Sequence, residues 1–232
     1  MSWKDIWRAK GAKAPSDPTI TDLMVLNGYD SGAGLAAFDA LDAFSARVGV
    51  RLDIKSGVRL LVVGCGSGAW LRRHYLNGVH VSGVDFSAAH LRVARHMMPA
   101  GGFVAADARS LPYPDAEFDV AAAGSCFLYL PDVQAASDAF GELIRVLRPG
   151  GRGVVTDLPD EKMRIESETF RRDELGQTEY ERRYAGLVHQ YFNRDGMISL
   201  SEQLGCRATT TTQEIAGYGN SPYRFNLWIE KP

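Results

Sequence analysis

The sequence predicts an α/β fold in which a mostly parallel sheet is covered by helices on both faces. Three observations carry that expectation. Short apolar runs alternate with helical patterns across residues 58–157, the order that builds parallel strands joined by crossover helices. The first run ends in Gly64-Cys65-Gly66-Ser67-Gly68, so a buried strand turns sharply into a helix there. Near the end, two strand-like runs flank a turn containing Gly217, Gly219, Asn220 and Pro222, the pattern of a hairpin at a sheet edge.

Taken in order, residues 1–57 open on Trp3 and Trp7 and pass through the glycine-rich stretch Gly28-Tyr29-Asp30-Ser31-Gly32-Ala33-Gly34. They continue with Leu35, Phe38, Leu41, Phe44 and Val48 at near-helical spacing. Strands are expected at Val58–Val63, Val79–Val84, Phe103–Ala105, Phe118–Ala123 and Gly153–Thr156. Between them, helices are expected at Ser87–Met97 and Val133–Leu147. The second carries Ala136, Phe140, Leu143, Ile144 and Leu147 on one face. Ser87 and Asp132 stand where N-caps belong, and Pro149-Gly150-Gly151 is expected to stop the later helix. A charged helical stretch over 160–190, a helix near Asp195–Leu204, and strands Thr209–Ile215 and Phe225–Ile229 follow. The expected organisation is an N-terminal helical lid (1–57), a ligand-binding core (58–157), a helical substrate cap (158–204) and a C-terminal hairpin that completes the sheet (205–232).

Composition narrows the partners. With 26 Lys and Arg against 28 Asp and Glu there is no basic surplus for nucleic acid. The arginines from Arg164 to Arg183 alternate with Glu166, Glu168, Asp173, Glu174, Glu179 and Glu181, which reads as a solvated helical face. No run approaches the roughly 20 apolar residues of a membrane span, and the first residues lack the apolar centre of a secretory signal. Cys65, Cys126 and Cys206 are far apart and outside any CxxC pair, which predicts free thiols and a cytoplasmic setting. The five histidines lack metal-ligand spacing, so no metal is expected.

The glycine loop lets backbone approach a ligand closely and directs N–H groups from a helix N-terminus towards it. Asp85 ends the next strand, where a carboxylate can accept from both hydroxyls of an adenosine ribose; capping the following helix is the competing reading, but Ser87 already offers that cap. These features also suit a nicotinamide cofactor, since Gly64-x-Gly66-x-x-Ala69 fits GxGxxA. The downstream residues decide. Ala106-Asp107-Ala108 lies just past the third strand, followed by Leu111-Pro112, Phe118-Asp119-Val120 and the run from Glu142 to Gly151.

In this order and spacing these residues resemble the class I S-adenosylmethionine-dependent methyltransferases, closely over 58–157 and more loosely in the hairpin. The resemblance implies a Rossmann-like seven-stranded sheet of order 3-2-1-4-5-7-6 with only strand 7 antiparallel. It implies S-adenosylmethionine as cofactor and methyl transfer to a small-molecule acceptor. Carried onto this chain, it sets Gly64, Gly66 and Gly68 against the methionine part of the cofactor. Asp85 then holds the ribose, Phe86 packs on the adenine, and Asp107 with Ala108 reads the adenine edge. Gly124 and Ser125 line the methionine side near the transferable methyl. The outer segments, including Trp3 to Trp7 and Gly186 to Tyr191, resemble a bacterial subgroup of small-molecule methyltransferases.

One position departs from the family pattern: Val62 stands where an acid usually supports the loop and the cofactor's amino group. That charge must then be met by backbone carbonyls or by an acid such as Asp30. His189 is the candidate base and Tyr129 faces the acceptor, while Tyr29 and Arg224 are the candidate acceptor-binding residues. Each also has a packing or salt-bridge reading. His74, His80, His90 and His96 read as structural, and Cys65 as a small filler. Other chemistry of the same cofactor, an NAD-dependent oxidoreductase and a non-catalytic binding protein remain the competing functions. Calorimetry with the cofactor is expected to show Asp85→Ala losing far more affinity than Asp30→Ala; equal losses would undo the ribose assignment.

Overall fold

A computed structural model describes residues 2–29 and 36–232; Asp30 and the glycine-rich residues after it lie outside the described residues. The strands β1 (Arg59–Val63), β2 (His80–Asp85), β3 (Gly102–Ala105), β4 (Phe118–Gly124), β5 (Leu147–Pro159), β6 (Arg207–Thr212) and β7 (Arg224–Glu230) form one sheet. Their spatial order is β3-β2-β1-β4-β5-β7-β6. The first five pair in parallel, and β7 runs antiparallel to both β5 and β6. The expected sheet is therefore present. Its order reverses between β1 and β4, so the loops leaving those strands diverge and open a crevice at their carboxyl ends.

The strands read as continuous apolar runs because both faces are buried. Leu60 and Val62 face one side with Val120, Ala122 and Val154, packed by α3 (Phe38–Arg51), α4 (Ala69–Leu76) and α5 (Ala88–Met97). Leu61 and Val63 face the other with Ala121, Ala123 and Leu227, packed by α6 (Val133–Val146) and α9 (Arg194–Gln203). Period-two alternation thus becomes two cores, and each fully buried Leu contributes about 1.5–3 kcal/mol.

The expected caps hold: Ser87 accepts from His90 N–H, and Asp132 accepts from Ala135 N–H at 2.8 Å. Two helices precede the sheet unannounced by apolar periodicity, α1 (Trp3–Gly11) and α2 (Ile20–Leu26). Each starts with a reciprocal cap, Ser2 with Asp5 and Thr19 with Asp22. The charged stretch forms α7 (Arg164–Leu175) and α8 (Gln177–Tyr184). Pro149-Gly150-Gly151 behaves differently from expectation. The helix already ends at Val146, and these residues lie inside β5, where the register with β4 shifts between Phe118 and Val120. The irregularity fits a proline that has no N–H to donate and Gly150 at φ +74°.

Helices α3 and α4 meet at His74. A side-chain carbon on Gly49 would stand 2.8 Å from the imidazole Cε1, so only glycine lets the helices close. Ser45 Oγ lies 3.1 Å from His74 Nε2. Burial, with Arg73 beside it, pushes the imidazole down to about 4. The unfolded chain takes up that proton near 6.5, so this contribution to stability is complete above pH 6.5 and lost as pH falls towards 4. Urea unfolding of the wild type is expected to weaken across that window by roughly 2–3 kcal/mol more than His74→Gln does. Parallel pH profiles for the two proteins would remove His74 from this role.

Candidate active site

The site begins where β1 stops. Gly64, Gly66 and Gly68 all have positive φ, at +69°, +55° and +85°. A side-chain carbon on Gly64 would lie 2.5 Å from Cys126 Cβ, one on Gly66 would strike Asn27 Oδ1, and one on Gly68 would strike the Met98 methyl. Backbone conformation and close neighbours together demand glycine here.

The loop's N–H groups are directed inwards. Gly64 and Cys65 N–H both donate to Val84 C=O, and Gly68 N–H donates to Cys65 C=O. Gly66 N–H donates to Asp85 Oδ2 at 2.9 Å, and Ser67 N–H donates to Asn27 Oδ1 at 3.0 Å. Within the loop, Asp85 and Asn27 take up the two N–H groups that neighbouring backbone does not, while those of Ala69, Trp70 and Leu71 in the first turn of α4 have no intrahelical acceptor. Asp85 is 9% exposed and also accepts from Ser87 N–H at 2.8 Å. Burial raises its carboxyl above the ordinary range, opposed by these two N–H groups.

A cleft runs along the carboxyl ends of β1, β2, β4 and β5. It is lined by Gly64, Gly66, Asp85, Phe86, Asp107, Ala108, Gly124, Ser125, Tyr129 and Tyr29. Most of the residues singled out from the sequence therefore meet on one surface. Val62, standing in place of the family's acid, lines it too. At the Asp107 end, the carboxylate is gripped by Arg109 through Nε at 2.9 Å and Nη2 at 2.8 Å, with Lys4 Nζ at 3.4 Å. The Arg109 hydrogen bonds hold it far below the usual carboxylate range. Arg8 lies 5.9 Å from the Phe86 ring centre. At the opposite end, Ser125 (φ +51°) meets Tyr29, their hydroxyls 3.1 Å apart. Burial pushes the Tyr29 phenol up to about 12.

Three residues fall outside the lining. Gly68 packs on Met98 and Ala94 of α5 and serves helix packing. His189 forms a parallel stack on Trp3, ring centres 4.7 Å apart, and meets the edges of Tyr129 and Tyr184. Burial and the nearby Arg224 and Arg171 guanidiniums hold its imidazole well below the usual range, so it is neutral at pH 7. Trp3 and Tyr129, not His189, reach the cleft, which leaves the expected base one layer back. Burial also drives the Tyr129 phenol well above its ordinary value, so Tyr129 stays protonated. Arg224 is 2% exposed, with Nε 3.7 Å from Asp157 Oδ1.

Asp157 went unnoticed in the sequence. It sits at φ +61° near the carboxyl end of β5, is 4% exposed and lines the cleft. Its carboxylate accepts from Gln213 Nε2 at 2.9 Å and from the Tyr218 hydroxyl at 3.3 Å. The available signal was a carboxylate closing an apolar strand, the same feature that marks Asp85. Asn27 carried none, because its role depends on α2 docking over the loop.

Comparison with known proteins agrees with this geometry. Residues 61–155 match the family described as a methyltransferase domain. The chain is 39% identical over 117 residues to methyltransferase GfsG of Streptomyces halstedii, covering 47% of this chain and 40% of that protein. It is 39% identical over 103 residues to demethylmenaquinone methyltransferase of Thermus thermophilus, covering 43% and 46%. The chain thus spans less than half the length of these two relatives. Its fold is similar to that of the 4+2 cyclase SpnF at a TM-score of 0.61 and 21% identity, covering 82% of this chain and 80% of that one.

Gly64→Ala is expected to cost about 1–3 kcal/mol in chemical denaturation through its positive φ and the Cys126 contact. A midpoint equal to wild type would mean that the loop tolerates a different path.

Proposed function

From the match of residues 61–155 to a methyltransferase domain and from the fold, we propose that the chain is a class I S-adenosylmethionine-dependent methyltransferase that transfers the methyl group to an oxygen or nitrogen of a small molecule. The observation that carries this reading is the way the glycine loop and Asp85 share one wall. Each oxygen of that carboxylate accepts one N–H and keeps further capacity to accept from a diol hydroxyl. Asp107, placed past β3 where an adenine amino group can be met, favours S-adenosylmethionine over a dinucleotide. Phe86 and Ala108 then border the adenine, with Asp107 at its amino edge. Gly64, Gly124 and Ser125 border the methionine, whose ammonium is met by loop carbonyls.

S-adenosylmethionine supplies an already activated methyl carbon that undergoes in-line displacement. The chain's part is chiefly placement, bringing the acceptor atom to about 3 Å from that carbon. Tyr29 and Tyr129 remain protonated and serve as hydrogen-bond donors and walls. Trp3, Trp7 and Tyr129 exclude water at the acceptor end. Segments 1–57 and 158–204 act as lid and cap over the strand ends, and the separate thiols fit a cytoplasmic enzyme. A second reading, other chemistry of the same cofactor, is favoured by the likeness of fold to a cyclase.

Thermal unfolding with S-adenosylmethionine, S-adenosylhomocysteine and NAD added separately tests the cofactor. At about 100 times its dissociation constant a ligand adds about 2.7 kcal/mol, raising the midpoint by roughly 5–10 °C. A rise with the two adenosyl compounds alone is expected; a rise with NAD alone, or with none, overturns the reading. S-adenosylhomocysteine as product marks methyl transfer, and its absence during turnover marks the second reading.

A further inference from the structure

Two arginines are buried under α7 with unmet hydrogen-bonding capacity. Arg224 is 2% exposed and Arg171 is 3% exposed. Nε and Nη1 of both have no hydrogen-bond partner, and neither has Ser167 Oγ, one turn before Arg171 on the buried face of α7. Arg171 is held through Nη2 to the Tyr191 hydroxyl at 2.7 Å, and its guanidinium lies 5.7 Å from the Tyr184 ring centre. Tyr184 in turn meets His189, and Phe170, beside Arg171, packs on Tyr223, beside Arg224, with ring centres 5.4 Å apart, which brings the two arginine-bearing segments together.

The charge balance of that cluster is incomplete. Asp157 is the one carboxylate beside Arg224, and it is already shared with Gln213 and Tyr218. Among the described residues no carboxylate pairs with Arg171. Nearby acids are committed elsewhere: Asp160 to Arg194 at 2.7 Å and Glu168 to Arg164 at 3.1 Å. Two buried cations against one anion leave a single positive charge, and water cannot neutralise it. Buried guanidinium N–H groups left unmet cost several kcal/mol, so a structure that keeps them together is built to receive an anion.

We infer that the buried cluster beneath α7 opens to receive the carboxylate of the methyl acceptor, held by Arg171 and Arg224 with Ser167 as an additional donor. This rests on the methyl-transfer reading and names its substrate class: a small monoanionic molecule, with its body against Trp3, Tyr129 and Tyr184. A carboxylate matches the single surplus charge and the planar fork of each guanidinium. The cluster adjoins the cleft, because Asp157, Trp3 and Tyr129 line the cleft and Arg224 and His189 stand behind them. Entry requires α7 and α8 to lift. Only Ser167 and Arg171 are buried on α7 and nothing on α8, so the pair is held by few apolar contacts and opens at small cost.

The full chain, saturated with S-adenosylhomocysteine, is titrated calorimetrically with acetate, benzoate and the neutral isostere benzamide. Benzoate is expected to bind at least about tenfold more tightly than benzamide, and Arg171→Gln to lose about tenfold or more of that affinity while keeping its affinity for S-adenosylhomocysteine. Arg224→Gln is expected to do the same, and Arg171→Gln carries the test if loss of the charge beside Asp157 prevents folding. Equal binding of benzoate and benzamide, binding of neither carboxylate, or unchanged benzoate affinity in Arg171→Gln each overturns the inference. Failure of the wild type to bind S-adenosylhomocysteine instead overturns the methyl-transfer reading.

Discussion

Asp85 accepts one hydrogen bond from Gly66 and one from Ser87, so a single buried carboxylate fixes both the loop after β1 and the turn after β2. Its position sets one wall of the cleft, and the neighbouring pieces depend on it. Gly66 can approach only because its φ is positive and Asn27 fits against it from α2. Ser87, held by the same carboxylate, caps α5, and the residue after α5, Met98, supplies the methyl that Gly68 packs on. Burial works against the ionised carboxylate while the two N–H groups favour it. Protein groups thereby pre-organise it before any ligand arrives.

The other end of the cleft follows a different logic. There the polar groups are arranged in layers, with aromatic rings in front and charges behind. Trp3 and Tyr129 border the cleft, His189 stacks behind Trp3, and the buried arginines lie beyond. Burial holds the Tyr29 and Tyr129 phenols protonated in front and, with the two arginines, makes the His189 imidazole behind them a weaker base. Placement and charge recognition remain as the means by which this surface acts.

How much of this could be read from the chain alone depended on the range of the interactions. The strands, the Ser87 and Asp132 caps and the glycine loop are local, and the residues that form them are adjacent in sequence. Asp85, Phe86, Asp107 and Ser125 were readable because each follows directly after a recognisable strand. Helices α1 and α2 are short and start with polar caps, so apolar periodicity did not reveal them. The placement of His189 was misread because its burial comes from Trp3, far away in sequence. Pro149 has the local signature of a helix stop, but the helix already ends at Val146 and Pro149 lies within β5.

Helix α1 touches both ends of the cleft. Its Lys4 reaches Asp107 and its Arg8 lies near Phe86, while its Trp3 stacks on His189 and its Trp7 meets the edge of Tyr129. A rigid helix of this length cannot lift from one end and stay seated on the other. The Asp107 end and the aromatic end are therefore bridged by one piece of backbone.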